Sequence, residues 1–197
     1  MDADQTLTVY RLDPKPSRLT VQVTAGGILA SFGHNPVIAV RDFTGEAQFE
    51  SPALANASLH LEISASALEV TDGAHEKDRA EIEQRMHHDV LETSAYPLIT
   101  FDSTQVNVTP MGTNQYRVEI AGQLTLHGLT NDQTISARVL VGPDRLRASG
   151  EFTLRQTDFG IQLVSVAGGA LKVKAELKIS FDITAAAAAR SKDSAAA

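Results

Sequence analysis

The side chains of this 197-residue sequence that could do chemistry are few and scattered. There is no cysteine, so thiolate nucleophiles, thiolate metal ligands and disulfides are all excluded. Six histidines invite a metal reading: His34, His60, His75, His87, His88 and His127. None of them forms the His-x-x-x-His pair that sets two ligands on one helical face. His87 and His88 are neighbours on a predicted helix and point about 100° apart, which makes them poor chelate partners. His60 and His127 fall on the polar parity of their strands and are expected to be solvated. His34, just before Asn35-Pro36, is the histidine placed to line a barrel mouth, meet a head group or cap a turn.

The carboxylates are no more informative. Glu81 and Glu83 belong to a charged helix face, and Asp42 and Glu46 to a wet strand face. The sequence holds no Gly-x-Ser-x-Gly elbow, phosphate loop or dinucleotide fingerprint. Arg41 differs, because it shares the apolar parity of Ala39 and Phe43, and an unpaired buried guanidinium is expensive. It reaches a ligand's phosphate or carboxylate, pairs with Asp158, or extends out at a barrel end. No metal or cofactor is therefore expected, and no catalytic residue.

The elements that would position these groups read as strands. "TLTVYRL" (6–12), "RLTVQVTA" (18–25), "VIAVRDFTGEAQFE" (37–50) and "ASLHLEISA" (57–65) alternate apolar and polar residues. "GGILASFGHNP" (26–36) breaks the period and reads as an irregular link or one helical turn. A helix over about residues 75–93 comes next, with Ile82, Met86 and Val90 four apart and Leu91 beside them. Its single apolar stripe places it on the outside of something, and Pro97 ends it. "LITFDSTQVNV" (98–108) changes parity near Ser103–Gln105, which predicts a bulge. "VEIAGQLTLHGLTNDQTISARV" (118–139) reads as two strands joined at a turn, with Gly128 and Asn131-Asp132 between them. "RLRASGEFTLRQTDFGI" (145–161) and "ALKVKAELKISFDITA" (170–185) complete eight or nine strands. Residues 186–197, "AAAARSKDSAAA" after Ala185, read as a disordered Ala-rich tail to a domain of residues 1–185.

Sequential strands with one wet face pair antiparallel, and long strands in one meander favour a closed barrel over a sandwich. About eight strands can enclose one small ligand. Aromatics are 5% of the chain and Trp is absent, so the interior is either packed with aliphatics or partly unfilled. Gly45, Ala47, Gly122, Ala137, Ala148 and Gly150 share the apolar parity, and each leaves room that a Leu would take. A net charge of -7 weighs against a nucleic-acid or anionic-membrane surface. No apolar run approaches the ~20 residues of a membrane helix. "MDADQTLTVY" lacks a basic and an apolar signal region, so a cytoplasmic location is the expectation, or a periplasmic or secreted one if Met1 replaces a removed signal.

The order "LETSAYPLITFDST", "IAGQLTLHGLTNDQTISA", "GEFTLRQTDFGI" resembles the YceI-like family, the lipocalin-like polyisoprenoid-binding proteins. The matching pieces are Tyr96-Pro97, Phe101-Asp102-Ser103-Thr104, Gly122 to Thr130 and Asp158-Phe159-Gly160. His34 and "VRDFTGEAQFE" fit as well, and the likeness runs from about residue 8 to 184. The helix departs from the family pattern, with Val90 where a Phe is usual, and the secretory signal of many members is not seen. The resemblance implies an all-β, eight-stranded antiparallel lipocalin-like barrel with the helix packed outside. It also implies a long apolar cavity for an isoprenoid or similar lipid amphiphile, and often a homodimer.

The ligand contacts expected from parity and resemblance are Phe32, His34, Arg41, Phe43, Phe49 and Ile63, together with Phe101, Tyr116, Leu124, Phe152 and Phe159. The function expected is non-catalytic binding or transport of an apolar chain-like molecule. Two rivals stay open: an interaction module with a filled core, and an enzyme using the cavity.

Overall fold

The computed structural model describes residues 6–26, 35–51, 54–72, 76–166 and 171–188. Its first strand, β1 (Thr6–Gln22), joins what reads in sequence as two strands. Pro14 and Pro16 cannot donate to a ladder, and the register with the last strand shifts between Asp13 and Arg18. Ser17 fills the gap, its Oγ accepting from the Thr184 amide at 2.9 Å. A two-residue strand, β2 (Ala25–Gly26), comes after it.

The stretch expected as one strand over 37–50 is instead β3 (Val37–Val40) and β4 (Phe43–Ser51), broken at Arg41-Asp42. β3 pairs with the end of β1 and β4 with its beginning. The same break recurs next door, where β5 (Ala55–Ser64) pairs with β4 and β6 (Leu68–Asp72) pairs with β3. Counting each broken pair once, they join β1, β7 (Leu98–Gly112), β8 (Gln115–Leu126), β9 (Leu129–Val141), β10 (Arg145–Arg155) and β13 (Glu176–Ala187) in a closed eight-stranded antiparallel barrel. The seam is the β1–β13 ladder, from Tyr10 opposite Ala187 to Gln22 opposite Lys178. β11 (Ser165–Val166) and β12 (Leu171–Val173) form a small separate sheet with β2. β13 takes in Ala186 and Ala187, the first residues of the expected tail; residues 189–197 lie outside the described residues.

The β7–β8 register shifts between Ser103 and Gln105, where the parity change predicts it. The β8–β9 turn is tighter than its sequence suggests: Leu126 faces Leu129, and only His127 and Gly128 lie between. Both have positive φ, 51° and 73°, the backbone that a two-residue hairpin needs. The ladder resumes at once, so Asn131 and Asp132 are strand residues.

Between β6 and β7, α1 (Glu76–Arg85) runs into one wide π turn, Met86–Val90. The helix is thus shorter than the expected 75–93. Its stripe is buried as periodicity requires, with Met86 and Leu91 in the core and Ile82 and Val90 packed against it. Two core clusters mark the two ends of the barrel. One gathers Phe43, Ile63, Leu68, Leu126, Leu154 and Ile179 beneath the helix. The other gathers Tyr10, Phe49, Leu54, Val118, Leu146 and Ala185, with the Tyr10 and Phe49 rings stacked at 5.1 Å.

Candidate ligand-binding cavity

Between the two clusters lies a cavity of about 590 Å³, within the ~300–1,000 Å³ of ordinary small-molecule sites. Its wall is the inward parity of the barrel strands. Leu12, Leu19 and Val21 come from β1, Val118, Ile120 and Leu124 from β8, Ile135, Ala137 and Val139 from β9, and Ile179, Phe181 and Ile183 from β13. The alternation read from residues 118 to 139 therefore faces an unfilled space.

Five of the expected contacts border this space: Phe49, Ile63, Phe101, Leu124 and Phe152. Phe43, Tyr116 and Phe159 do not. Phe43 and Phe159 are buried in the helix-end cluster, and Tyr116 packs on the opposite one. Phe32 and His34 lie outside the described residues. Arg41 stands outside the barrel, its Nε 2.8 Å from Glu69 Oε2. The strand break at Arg41-Asp42 explains this, because parity counted across a break assigns the wrong face. The partner is Glu69 on β6, not Asp158, which lies beside Arg155 at 3.7 Å.

The glycines do not make the room. A Cβ at Gly122 would sit 2.5 Å from Asp102 O and 2.6 Å from Phe101 Cζ, and one at Gly150 would strike Ser136 O and lie 2.7 Å from Phe181 Cζ. Each glycine instead lets an aromatic ring lie flat on the sheet, which keeps that ring from reaching across the axis. Gly45 is closed the same way by Leu12 and the backbone of β5.

The two ends differ in chemistry. At the Tyr10–Phe49 end the two stacked rings are buried, while Gln48 and Ser58 also border the cavity; burial of the Tyr10 phenol, helped by the charge of Asp144, raises its pKa above the ordinary tyrosine value. At the helix end the border includes Asp78, Glu81 and Arg85 of α1 and Lys172 of β12, so this end meets water. Glu81 and Arg85 pair at 2.9 Å, one helical turn apart. Gln156, 5% exposed, also borders the cavity here. Sequence reasoning passed it over, yet Phe152, Leu154 and Gln156 share one parity, and period two alone places it inside.

His127 is the clearest correction to the expected solvated histidines. Its side chain is 15% exposed. Nε2 lies 2.7 Å from Glu92 Oε2 and Nδ1 3.3 Å from Phe159 O, and the ring rests 4.4 Å from that of Tyr96. It ties the segment after the helix to the β8–β9 turn. His60 does lie on the surface, 2.6 Å from Asp102. Among the described residues no group of three or more His, Asp or Glu side chains is placed to hold a metal ion. Among them, too, no helix is long and apolar enough to cross a membrane.

Comparison with known proteins adds three findings. A family model described as the YceI-like domain matches residues 10–185. A UPF0312 protein of Pseudomonas aeruginosa is 33% identical over 109 residues, 51% of this chain and 54% of that protein. The chain thus spans about half the length of the curated relatives it matches. Among solved structures, Burkholderia cenocepacia BcnA superposes with a TM-score of 0.66 at 18% identity, over 88% of this chain and 98% of the other. A polyisoprenoid binding domain from Saccharophagus degradans, implicated in plant cell wall breakdown, gives 0.63 at 15% identity, over 91% and 98%. At these identities the likeness is one of fold.

Proposed function

Because the chain belongs to the YceI-like domain family, we propose that it binds and carries an apolar, chain-like lipid amphiphile, an isoprenoid or a similar molecule, inside its barrel. The observation that carries this reading is the cavity of about 590 Å³ walled by aliphatic and aromatic side chains. The polyisoprenoid binding domain of like fold supports the ligand class.

Magnitudes favour a long chain. Each buried methylene contributes ~0.8 kcal/mol, and association costs roughly 4–15 kcal/mol. A ligand held by hydrocarbon contact alone therefore needs on the order of ten buried methylenes before any net affinity remains. The reading involves no covalent chemistry, since an acid and a base would have to converge within a wall made almost wholly of hydrocarbon.

Native mass spectrometry of the protein as purified tests this. A co-purifying lipid is expected, and after its removal a long-chain amphiphile at about 100 times its Kd should stabilise the fold by ~2.7 kcal/mol. A protein that emerges empty and gains no thermal stability from polyprenyl or fatty amphiphiles would overturn the reading. The same spectrum reads the subunit count and so tests whether the chain forms the homodimer that the family resemblance allows.

A further inference from the structure

A second hollow, of about 530 Å³, lies on the outer face of the barrel over β8, β9, β10, β13 and β1. The strand ladders draw one line of residues across it. Arg117 is opposite Arg138, Arg138 opposite Ser149, Ser149 opposite Asp182, and Asp182 opposite Arg18. Ser136, Ser149 and Ser180 border the hollow, and their short side chains leave room between the longer ones. Arg18, Arg117 and Arg138 are all exposed at its edge.

The charges here do not balance. Two cations directly opposite each other on neighbouring strands repel, and among the described residues neither Arg117 nor Arg138 has a carboxylate partner. The two acids that border the hollow are already engaged. Asp182 Oδ1 accepts from Arg147 Nε at 2.7 Å. Glu151 lies 2.9 Å from Lys178 Nζ and accepts from Ser180 Oγ at 3.2 Å. Arg18 adds its charge beside Asp182 without forming an ion pair among the described residues. Glu119, the next acid on β8, stands opposite Ser136 and pairs with neither arginine. Arg18, Arg117, Arg138, Arg147 and Lys178 thus outnumber Glu119, Glu151 and Asp182.

We propose that Arg117 and Arg138, with Arg18 on the far side of Ser149, form a binding site for a small, soluble phosphate-bearing anion, either a diphosphate or a phosphomonoester. Neighbouring strands are ~4.8 Å apart, so two guanidinium groups from adjacent strands can close on one phosphate. Each offers the planar fork of N–H donors that phosphate oxygens match. The bound anion also removes the repulsion between the two arginines. The Ser149 hydroxyl adds a neutral donor between them and Arg18. An anionic bilayer fits less well, because the site is concave and a net charge of -7 sets most of the molecule against such a surface. The proposal makes no use of the central cavity, so it stands or falls apart from the carrier reading.

The test is isothermal titration of the full chain with inorganic pyrophosphate and orthophosphate at low ionic strength. Pyrophosphate is expected to bind, more tightly than orthophosphate, and to weaken as salt is added. The double variant Arg117→Gln/Arg138→Gln should lose about tenfold in affinity. Arg41→Gln/Arg155→Gln removes the same charge from ion-paired surface sites and should bind as the parent does. Arg138→Lys, a lighter change that keeps the charge but not the fork, should bind more weakly than the parent. A parent that binds neither anion overturns the proposal without any variant having to fold. Equal losses in the two double variants overturn it as well, since they reduce the effect to diffuse charge. So does a protein that ignores pyrophosphate but adsorbs through Arg117 and Arg138 to phosphatidylcholine vesicles containing phosphatidic acid, which would make the face a membrane contact.

Discussion

His127 Nε2 and Glu92 Oε2 lie 2.7 Å apart across the junction between the post-helix segment and the β8–β9 turn. The second ring nitrogen faces Phe159 O at 3.3 Å. Both partners are acceptors, so both bonds form together only when both ring nitrogens carry hydrogen. One side chain therefore links the end of the helix, a hairpin turn and the turn after β10. His127→Ala is expected to destabilise by about 1–2 kcal/mol, roughly 2–8 °C in Tm for a chain of this size. Part of that loss should return in His127→Asn, because Asn tolerates the left-handed backbone. Thermal unfolding of the two variants checks this, and equal Tm values for His127→Ala and the parent would remove the link.

Gly150 offers a sharper test of why the interior is shaped as it is. A methyl there meets Ser136 O and Phe181 Cζ, neither of which gives way cheaply. Gly150→Ala should destabilise by about 1–3 kcal/mol, the range for overpacking a filled site. Had the glycine been leaving space for a ligand, the same change would be nearly neutral. Urea unfolding distinguishes the two.

Phe43 and Phe152 share an apolar environment but not a role. Phe43 is buried in the helix-end core, away from the cavity, whereas Phe152 borders it. Truncating either to Ala should cost about 3–5 kcal/mol if the site cannot collapse, with the half-buried Phe152 at the lower end. Only Phe152→Ala should change which chain lengths bind, read by native mass spectrometry across a fatty-alcohol series. A matching shift in Phe43→Ala would put Phe43 in the cavity wall as well and erase the distinction.

Acid stability has an identifiable contributor on the outer face. The Arg147 guanidinium donates from Nε to Asp182 Oδ1 at 2.7 Å. That hydrogen bond, with the charges of Arg147 and Arg18, holds the Asp182 pKa below the ordinary aspartate value. A carboxyl lowered in the folded state stabilises it above the unfolded pKa of about 3.9, and that support fades as pH falls through the lowered folded value. Arg147→Met should therefore be less stable than the parent at neutral pH by a small margin, as befits an exposed pair. The gap should close under strongly acid conditions. Urea midpoints at pH 7 and near pH 2 give the comparison, and a gap that persists unchanged at low pH would exclude the pair as its source.

How far the sequence could be read depended on continuity. Where a strand runs unbroken, as from Val118 to Leu126, period two assigns the face of every residue. Arg41 shows the failure: two residues outside the ladder reverse the count, and a surface arginine then looks buried. His127 failed for a related reason, since in a two-residue turn with both φ positive the strand parity no longer applies. The helix stripe of Ile82, Met86, Val90 and Leu91 was legible because its apolar spacing survives the π turn. Gln156 was legible too, through Leu154, but polarity argued against looking inward. The meaning of Gly122 and Gly150 was not, because only coordinates reveal which ring lies across a missing side chain.

The seam between β1 and β13 joins residues near opposite ends of the chain. During synthesis the last wall of the vessel emerges last, so a nascent chain lacking Glu176–Ala187 has an open trough where the finished protein has a container. On the carrier reading proposed above, a truncation that removes Glu176–Ala187 would abolish ligand retention even though every cavity-lining residue of the other seven strands remained in place.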